Sequence, residues 1–216
     1  MRWLLLLLCC SLLGCALLED GEVNQCADES ALFRDSFSED ASCGWVIYSG
    51  AESAEITAGV MRLNVSTSGV VAWTNPGRLF GDTEISVQTR QVWGPNDNAY
   101  GVICRYVDEE NFYIFLVSGD GYYAIGKYES GQSQVQYLTG EEPNYFVAAE
   151  EINKGVATNL LRVTCAGNQL SLTVNGILLA SVTDDSFPAG DIGLAANTFE
   201  TGSVVIEFDN LTVTSP

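Results

Sequence analysis

The stretch YGVICRYVDEENFYIFLVSGDGYYAIGKY, residues 100–128, decides the fold. Runs of aromatic and β-branched residues are interrupted at Asp108–Glu110 and at Gly119–Gly121, a pattern typical of three consecutive antiparallel strands joined by two turns. In the middle strand, Phe112 and Tyr113 begin two alternating sets of apolar side chains, one on each face. The stretch therefore predicts a central strand that faces the core on one side and a partly covered surface on the other.

Strand patterns of the same kind continue on both sides of this stretch. The predicted strands are Ala54–Thr57, Val60–Val65, Val70–Thr74, Thr83–Trp93, Tyr100–Val107, Phe112–Val117, Tyr122–Tyr128, Leu160–Cys165, Leu170–Val174, Ile177–Val182, Ile192–Ala196 and Val204–Val213. Gly167-Asn168 and Asn175-Gly176 predict two further hairpins, the second with a type I′ turn. Only Phe146–Glu151 could hold a helical turn. About twelve short strands in one domain predict an all-β antiparallel sandwich.

The N-terminus has the features of an export signal. Arg2 precedes an apolar run, Trp3–Leu13, that is too short to span a bilayer. The sequence Leu12-Leu13-Gly14-Cys15 resembles the bacterial lipobox, which implies cleavage before Cys15 and a lipid on its thiol; the alternative is an ordinary secretory signal with an incidental cysteine. We expect residues 1–14 to be the signal peptide, 15–31 a lipidated polar tether and 32–216 the folded domain.

Four cysteines remain once the signal and the lipid site are set aside: Cys26, Cys43, Cys104 and Cys165. An even number in an exported chain suggests two disulfides, and three pairings are possible. We favour Cys26–Cys43, which closes a local loop, and Cys104–Cys165, which joins two predicted strands. On the chain-entropy model these bridges contribute roughly 3 and 4 kcal/mol.

Charge and composition exclude several classes of function. The chain has 9 Lys and Arg against 28 Asp and Glu, a net charge of −19, which repels phosphate backbones and makes nucleic acid an unsuitable partner. It contains no histidine. A Ser–His triad is therefore excluded, and a zinc site is disfavoured because the cysteines also lack CxxC spacing.

The order of the motifs resembles the concanavalin A-like lectin/glucanase jelly rolls, especially the laminin-G-like and 3-keto-disaccharide hydrolase-type domains. The residues that carry the likeness are Phe33–Phe37, Cys43-Gly44-Trp45, Tyr100-Gly101-Val102, Arg105, Asp108, Asn111-Phe112-Tyr113, Asp120-Gly121-Tyr122, Asn159–Val163, Val174-Asn175-Gly176, Phe187–Gly190, Gly193-Leu194 and Phe208–Val213. The resemblance covers residues 32 to 214 and implies a jelly roll. It does not imply one function, because this fold hosts lectins, binding modules, adhesins and hydrolases.

Catalysis by the acids of the opening stretch is disfavoured. Glycosidases need two carboxyl groups that converge on one bond. Glucanases of the resembled fold carry Glu-x-Asp-x-x-Glu along a strand, and this chain lacks that string. Asp108, Glu109 and Glu110 are consecutive and are expected to form a turn, so we predict no catalytic residue.

Carbohydrate binding needs aromatic rings for stacking on sugars and polar side chains for their hydroxyls. The candidates are Trp93, Tyr100, Tyr113 and Tyr123 as platforms and Gln88, Arg90 and Arg105 as polar partners. The alternative for each aromatic is a core or cross-strand pair. The alternative for Arg105 is a structural ion pair beside Asp108. Trp45 is expected in the core.

We expect no cofactor, apart from a weak possibility of structural calcium near Asp35 and Asp209, which lie in the first and last strands of the resembled fold. Calcium prefers six to eight oxygen ligands, which two aspartates do not supply.

The sequence thus favours an extracytoplasmic, lipid-anchored binding module for glycan, with contact to the membrane through the lipid only. Two alternatives stay open. One is a divergent glycan-active hydrolase or lyase on the same fold, and the other is an adhesive or structural domain that binds an envelope protein.

Overall fold

The chain folds into two antiparallel β-sheets. The computed structural model describes residues 26–27, 30–38, 43–132 and 134–216. Its strands are β1 (Phe33–Asp35), β2 (Glu52–Thr57), β3 (Val60–Val65), β4 (Val71–Thr74), β5 (Thr83–Trp93), β6 (Asn98–Asp108), β7 (Asn111–Val117), β8 (Tyr122–Tyr128), β9 (Gln136–Tyr137), β10 (Val147–Ala148), β11 (Thr158–Ala166), β12 (Gln169–Val174), β13 (Ile177–Thr183), β14 (Asp191–Thr198) and β15 (Val204–Thr214). Within these described ranges, no helix is long and apolar enough to cross a membrane.

The two sheets have different strand orders. Sheet I has eight strands in the order β13-β12-β11-β5-β15-β3-β2, with β1 beside β15. Sheet II has seven strands in the order β10-β8-β7-β6-β14-β4, with β9 beside β8. Neighbouring strands of sheet II are distant in sequence at β6-β14-β4, as expected for a sandwich with crossover connections rather than a simple meander.

The main core lies between the two sheets, where alternating side chains from both inner faces meet. Sheet II contributes Tyr113, Phe115 and Val117 from β7, and sheet I contributes Ile206 and Phe208 from β15, all fully buried. Trp45 also packs in this core, as predicted, and its indole nitrogen donates a 2.9 Å hydrogen bond to Asp35.

All twelve predicted strands are present, so the all-β antiparallel sandwich is confirmed. The three strands that were not predicted, β1, β9 and β10, have only two or three residues each. The helical turn considered for Phe146–Glu151 is wrong, because Val147–Ala148 pairs with β8 as a strand.

The turns and disulfides also follow the prediction. Asn175 and Gly176 have φ angles of 51° and 88°, and a type I′ turn requires positive φ at both residues. Cys26 pairs with Cys43 and Cys104 with Cys165. Because Cys104 lies in β6 and Cys165 in β11, the second bridge joins sheet II to sheet I.

The signal peptide and the lipid site at Cys15 lie outside the described residues, and so does nearly all of the 15–31 tether. These assignments and the domain boundaries stay predictions.

Candidate functional site

The outer face of sheet II, which points away from the core, is apolar. A second cluster of buried side chains forms the floor of this face: Ala99, Ile103, Phe112, Ile114, Leu116 and Ala195. These residues alternate along β6, β7 and β14 with side chains that enter the main core. Because an apolar sheet face is not left open to water without a reason, its cover and its gaps indicate where a partner binds.

The cover is the segment that connects β8 to β10, which we call the roof segment (the described residues of 129–146). It leaves at the end of β8 and returns to pair with the same strand through β9 and β10. Val135 and Phe146 pack on the floor. Phe146 also makes an edge contact with Phe199, with centroids 5.9 Å apart. Phe199 directly follows β14. Since β7 and β6 lie between β8 and β14 in the sheet, the roof segment must cross both strands to reach Phe199.

Beside the roof segment lies a groove of about 710 Å³, which we call the central groove. Its lining residues are Gly69, Val71, Ile114, Leu116, Tyr128, Gln134, Val135, Gln136, Tyr137, Tyr145, Ala196, Asn197 and Phe199. Tyr137 and Tyr145 stack with centroids 5.2 Å apart, and Tyr128 stacks on Phe112 at 4.5 Å. An apolar wall with a few polar side chains is the usual composition of a small-molecule site.

Asn197 is a buried polar residue in the lining of this groove. Its side chain is on the floor side of β14 and only 8% exposed. Its Oδ1 atom has no hydrogen-bond partner among the described residues. A buried carbonyl oxygen left without a hydrogen bond costs about 1 to 3 kcal/mol, so a ligand hydroxyl at this point would satisfy an oxygen that no described residue satisfies.

A second cavity, the end pocket, has a volume of about 390 Å³ and shares Tyr137, Tyr145 and Phe199 with the central groove. Its further lining residues are Asp97, Asn98, Ser118, Asp120, Tyr122, Pro143, Asn144 and Phe146. Asn98 Oδ1 accepts a 3.0 Å bond from the Gly119 amide, and Ser118 donates its hydroxyl to Asp120. These bonds hold the β7–β8 turn so that the Asp120 carboxylate borders the pocket.

A third cavity, the edge pocket, has a volume of about 420 Å³ and lies at the edge strand β4. It is lined by Val46, Tyr48, Glu52, Val70, Val71, Ala72, Trp73, Asn75, Tyr106 and Glu109. Trp73 lies 6.0 Å from Phe112 of the floor. Burial raises the pKa of Tyr106, and the side-chain hydrogen bond from Trp73 opposes that shift.

Tyr128 and Tyr137 of the central groove are neutral at pH 7. Burial raises the pKa of Tyr128 to about 12, with a smaller contribution from Tyr137. Burial also raises the pKa of Tyr137. Both hydroxyls therefore keep their protons and can donate as well as accept hydrogen bonds, which suits a polyol ligand.

The predicted aromatic platforms do not form this site. Tyr100 and Tyr113 are both 0% exposed in the core between the sheets, which leaves no surface of either ring for a ligand and corrects the prediction. Tyr123 packs against the same core and donates its hydroxyl to the Leu179 carbonyl at 3.1 Å. These residues alternate with the groove-facing set, so the prediction chose the wrong face of β7 and β8.

Arg105 is likewise not a ligand contact. It is 1% exposed, and its guanidinium donates to Asp82 at 2.9 Å and to the Gly167 and Phe187 carbonyls at 2.8 and 2.9 Å. The structural ion pair considered for Arg105 exists, but its partner is Asp82 rather than Asp108. Arg105 has a φ of 52° at a bulge in β6, which takes its side chain out of the expected alternation.

Of the other three candidates, Gln88 and Arg90 lie on the opposite side of the molecule from the aromatic groove. Gln88 and Arg90 line a shallow cavity of about 180 Å³ on the outer face of sheet I, together with Glu207 and Asp209. Trp93, at the end of β5, is 69% exposed. The structure does not bring these residues together with the aromatic groove, and a ligand role for them stays a prediction.

The two aspartates considered for calcium do not converge. Asp35 is buried, and its oxygens accept hydrogen bonds from the Phe37 amide and the Trp45 indole. Asp209 lies on the outer face of sheet I beside Gln88. The described residues contain no group of three or more Asp, Glu or Cys close enough to hold a metal ion. Calcium binding stays an untested prediction.

Sequence reasoning missed the residues that do line the cavities, above all Tyr128, Tyr137, Tyr145, Asn197 and Phe199. One signal was available. Three aromatics, Tyr137, Tyr145 and Phe146, occur in a segment without a strand pattern, and aromatic residues in a connecting segment need a surface to cover.

No protein-family model matches the chain, and no curated protein matches it in sequence. Solved structures share its fold. The carbohydrate-binding module CBM66 from Bacillus subtilis matches with a TM-score of 0.60 and 17% identity over 80% of this chain and 96% of that chain. A protein of unknown function with a galectin-like fold from Bacillus subtilis matches with a TM-score of 0.61 and 10% identity, over 88% and 97% of the two chains.

A structure described under endo-acting O-glycanases of the human gut microbiota matches with a TM-score of 0.60 and 12% identity, over 87% of this chain and 100% of that chain. At such identities the likeness shows the fold alone. The chain therefore shares the β-sandwich fold of these structures.

Proposed function

We propose that the protein is a non-catalytic carbohydrate-binding module, held outside a bacterial membrane by a lipid on Cys15, and that its site is the central groove with the end pocket. The observation that carries the proposal is the unpaired Asn197 oxygen, in a groove lined by Tyr128, Tyr137 and Tyr145. A sugar offers hydroxyl donors for such an oxygen and apolar ring faces for the tyrosines.

Two further points support this function. One structural neighbour is by name a carbohydrate-binding module, and another is described as an endo-acting O-glycanase. Two acids of the β6–β7 turn make structural hydrogen bonds. Asp108 Oδ1 accepts hydrogen bonds from the Glu110 amide at 2.9 Å and from the Asn111 side chain at 2.7 Å. Glu110 accepts a 2.8 Å bond from Ser130.

The test is Asn197→Leu, which removes the amide and keeps a similar volume. A glycan array followed by affinity electrophoresis identifies and quantifies binding. We expect at least a tenfold loss of affinity, the equivalent of about 1.4 kcal/mol. The melting temperature should be unchanged or higher, because an unpaired polar group leaves the interior.

Gln88→Leu is the matched variant on the outer face of sheet I. Binding that survives Gln88→Leu and fails with Asn197→Leu supports the groove. The reverse result places the ligand on sheet I, and full affinity in Asn197→Leu contradicts the proposed site. If no glycan binds and an envelope protein is captured instead, the adhesive alternative is supported.

The lipid anchor is tested separately. Cys15→Ser should move the protein from the membrane fraction to the soluble fraction. Unchanged membrane retention of this variant overturns the anchor without affecting the assignment of the groove.

A second candidate function, glycan cleavage, has one observation in its favour, namely that Asp97 and Asp120 both border the end pocket. Glycosidases use two carboxyl groups on either side of the bond that they cleave. Product release from an oligosaccharide panel that is lost in both Asp97→Asn and Asp120→Asn supports this function. Binding without product formation supports the module.

A further inference from the structure

Resting on the proposed function, we propose that the ligand is an internal segment of a neutral linear glycan, which lies along β6 and β14 from the end pocket through the central groove to the edge pocket. Trp73 is the platform for the sugar unit at the edge. The proposal adds a binding subsite, a ligand length and a ligand charge to the site described above.

The three cavities are connected. The end pocket and the central groove share Tyr137, Tyr145 and Phe199. The central groove and the edge pocket share Val71.

They also share one floor. Val71 and Trp73 of β4 pair with Asn197 and Ala195 of β14, and both side chains pack on the same apolar cluster as Tyr128 and Phe146. A ligand that follows this floor therefore passes from Asn197 to Trp73 without leaving the sheet face.

The connected groove is longer than a single sugar. Asn98 lines the end pocket and Tyr106 lines the edge pocket, and both belong to β6. At about 3.3 Å per residue, the strand advances roughly 25 Å between them. Several sugar units fit this length, so affinity should grow with the number of units until the groove is full.

Both ends of the groove reach solvent. Asp97 at the end pocket and Glu109 at the edge pocket are exposed. The edge pocket lies at β4, the last strand on that side of sheet II. A polymer can therefore continue beyond the groove at both ends, which suits an internal segment rather than a chain terminus.

The charges along the groove favour a neutral ligand. The charged side chains among the described residues that line the three cavities are Asp97, Asp120, Glu52 and Glu109, and none is Lys or Arg. Anionic sugars such as uronates or sulfated units lack a counter-charge here and are repelled by the four carboxylates.

Trp73 has the geometry of a fixed platform. It is partly exposed, is packed 6.0 Å from Phe112 and is hydrogen-bonded through its side chain to Tyr106. A ring that is already held in place loses little conformational entropy when a sugar stacks on it. The edge pocket should therefore add affinity for those ligands that are long enough to reach it.

The test uses isothermal titration calorimetry with cello-, xylo-, manno- and chito-oligosaccharides of two to six units, and with oligogalacturonides of the same lengths. We expect one neutral series to bind with affinity that rises at least about tenfold from two to six units. The oligogalacturonides should not bind. Trp73→Ala should bring the ratio of six-unit to two-unit affinity close to one, whereas Asn197→Leu lowers the affinity for every length.

Trp93→Ala is the matched control, since it removes an exposed tryptophan that lines none of the three cavities. Should Trp73→Ala prove unstable, the length series on the unaltered protein still decides the matter. Affinity independent of length, or tight binding of oligogalacturonides, overturns this inference and leaves the proposed function in place. No binding by any series overturns the proposed function itself.

Discussion

Arg105 is a structural residue whose position depends on its backbone conformation. Arg105 has a positive φ and lies in the bulge of β6, where the pairing of β6 with both β7 and β14 shifts register. Gly190 approaches this bulge closely: a Cβ there would lie 2.4 Å from the Arg105 carbonyl carbon. The bulge directs the guanidinium to the Gly167 and Phe187 carbonyls, so one side chain joins β6 to the β11–β12 turn and to the segment before β14.

We predict that Arg105→Met destabilises the fold by about 3 kcal/mol, because two carbonyls lose hydrogen bonds from a charged donor. Urea denaturation measures the difference. Asp82→Ala removes the half-exposed partner of the ion pair and one hydrogen bond from the Gly167 amide, and should cost about 1 to 2 kcal/mol. Equal losses in the two variants would show that the ion pair, not the carbonyl contacts, carries the stability.

The same bulge explains why the sequence pattern misplaced the Arg105 side chain. Alternation predicts that Arg105 shares a face with Ile103, and the positive φ breaks that relation. In β7 the alternation itself was correct, but Phe112 and Tyr113 begin two apolar sets, and composition cannot say which set faces the other sheet. Tyr113 faces the core because the roof segment covers the Phe112 side, a tertiary fact that strand periodicity does not contain.

At the scale of elements, the crossover from β13 to β14 is attached to sheet II by an ionic network. Asp184 Oδ1 accepts a 2.6 Å bond from the Tyr113 hydroxyl, and Asp184 Oδ2 accepts a 3.0 Å bond from Lys127. Lys127 also donates to Ser186 at 2.7 Å. Because β13 belongs to sheet I, this network adds to the connections between the sheets that the Cys104–Cys165 bridge and Arg105 make.

The network makes stability depend on pH. Burial alone would raise the pKa of Asp184, but the hydrogen bonds from Tyr113, Ser186 and Lys127 outweigh it and hold the pKa below its ordinary range. A carboxyl whose pKa is lower in the folded than in the unfolded state stabilises the fold above its unfolded pKa of about 3.9 and loses that contribution as the pH falls further.

We therefore predict that Asp184→Asn costs about 2 kcal/mol at pH 7 and that the gap between variant and wild type closes below about pH 4. Urea titrations from pH 7 down to pH 2.5 measure the gap. Asp185→Asn removes the same charge at an exposed neighbouring position and should change stability by less than about 0.5 kcal/mol at every pH. A gap that stays constant down to pH 2.5 contradicts the assignment.

The stability of the fold at alkaline pH depends on Tyr113, which donates a hydrogen bond to Asp184. Burial, together with the hydrogen bond and the charge of Asp184, raises the pKa of Tyr113 to about 12. A group whose pKa is higher in the folded state contributes its stability below the unfolded pKa, about 10 for tyrosine, and loses it as the pH rises towards the folded value. Tyr113→Phe should therefore reduce the loss of stability between pH 10 and pH 12.

Elements differed in how well the sequence predicted them. Each of the long strands could be predicted because apolar alternation and turn residues such as Asn175-Gly176 mark its length and its ends. β9 and β10 could not, because two residues carry no periodicity and are strands only through pairing with β8. The roof segment, which carries Tyr137 and Tyr145, likewise has no strand periodicity. The candidate site was therefore less predictable from the sequence than the fold.

For the whole molecule, the end pocket and the first described strand, β1, lie at opposite ends. β1, close to the Cys26–Cys43 bridge, pairs with the last residues of β15, Phe33 opposite Val213. The end pocket is near the first residues of β15, because Val205 pairs with Trp93 and the chain reaches Asn98 a few residues later. Eleven residues of β15 separate the two ends by roughly 33 Å.

This arrangement predicts that a lipid at Cys15 leaves the end pocket accessible, since Cys26, which accepts a hydrogen bond from the Arg34 amide of β1, lies at the end of the domain remote from that pocket. Lipidated protein in neutral vesicles and soluble Cys15→Ser protein should bind the same oligosaccharide with dissociation constants within about twofold of each other. A folded reporter inserted at Gly202, in the exposed connection after Phe199, should block binding. The same reporter fused after Pro216, at the tether end, should not. Loss of binding on the vesicle, or with the C-terminal fusion alone, contradicts this orientation.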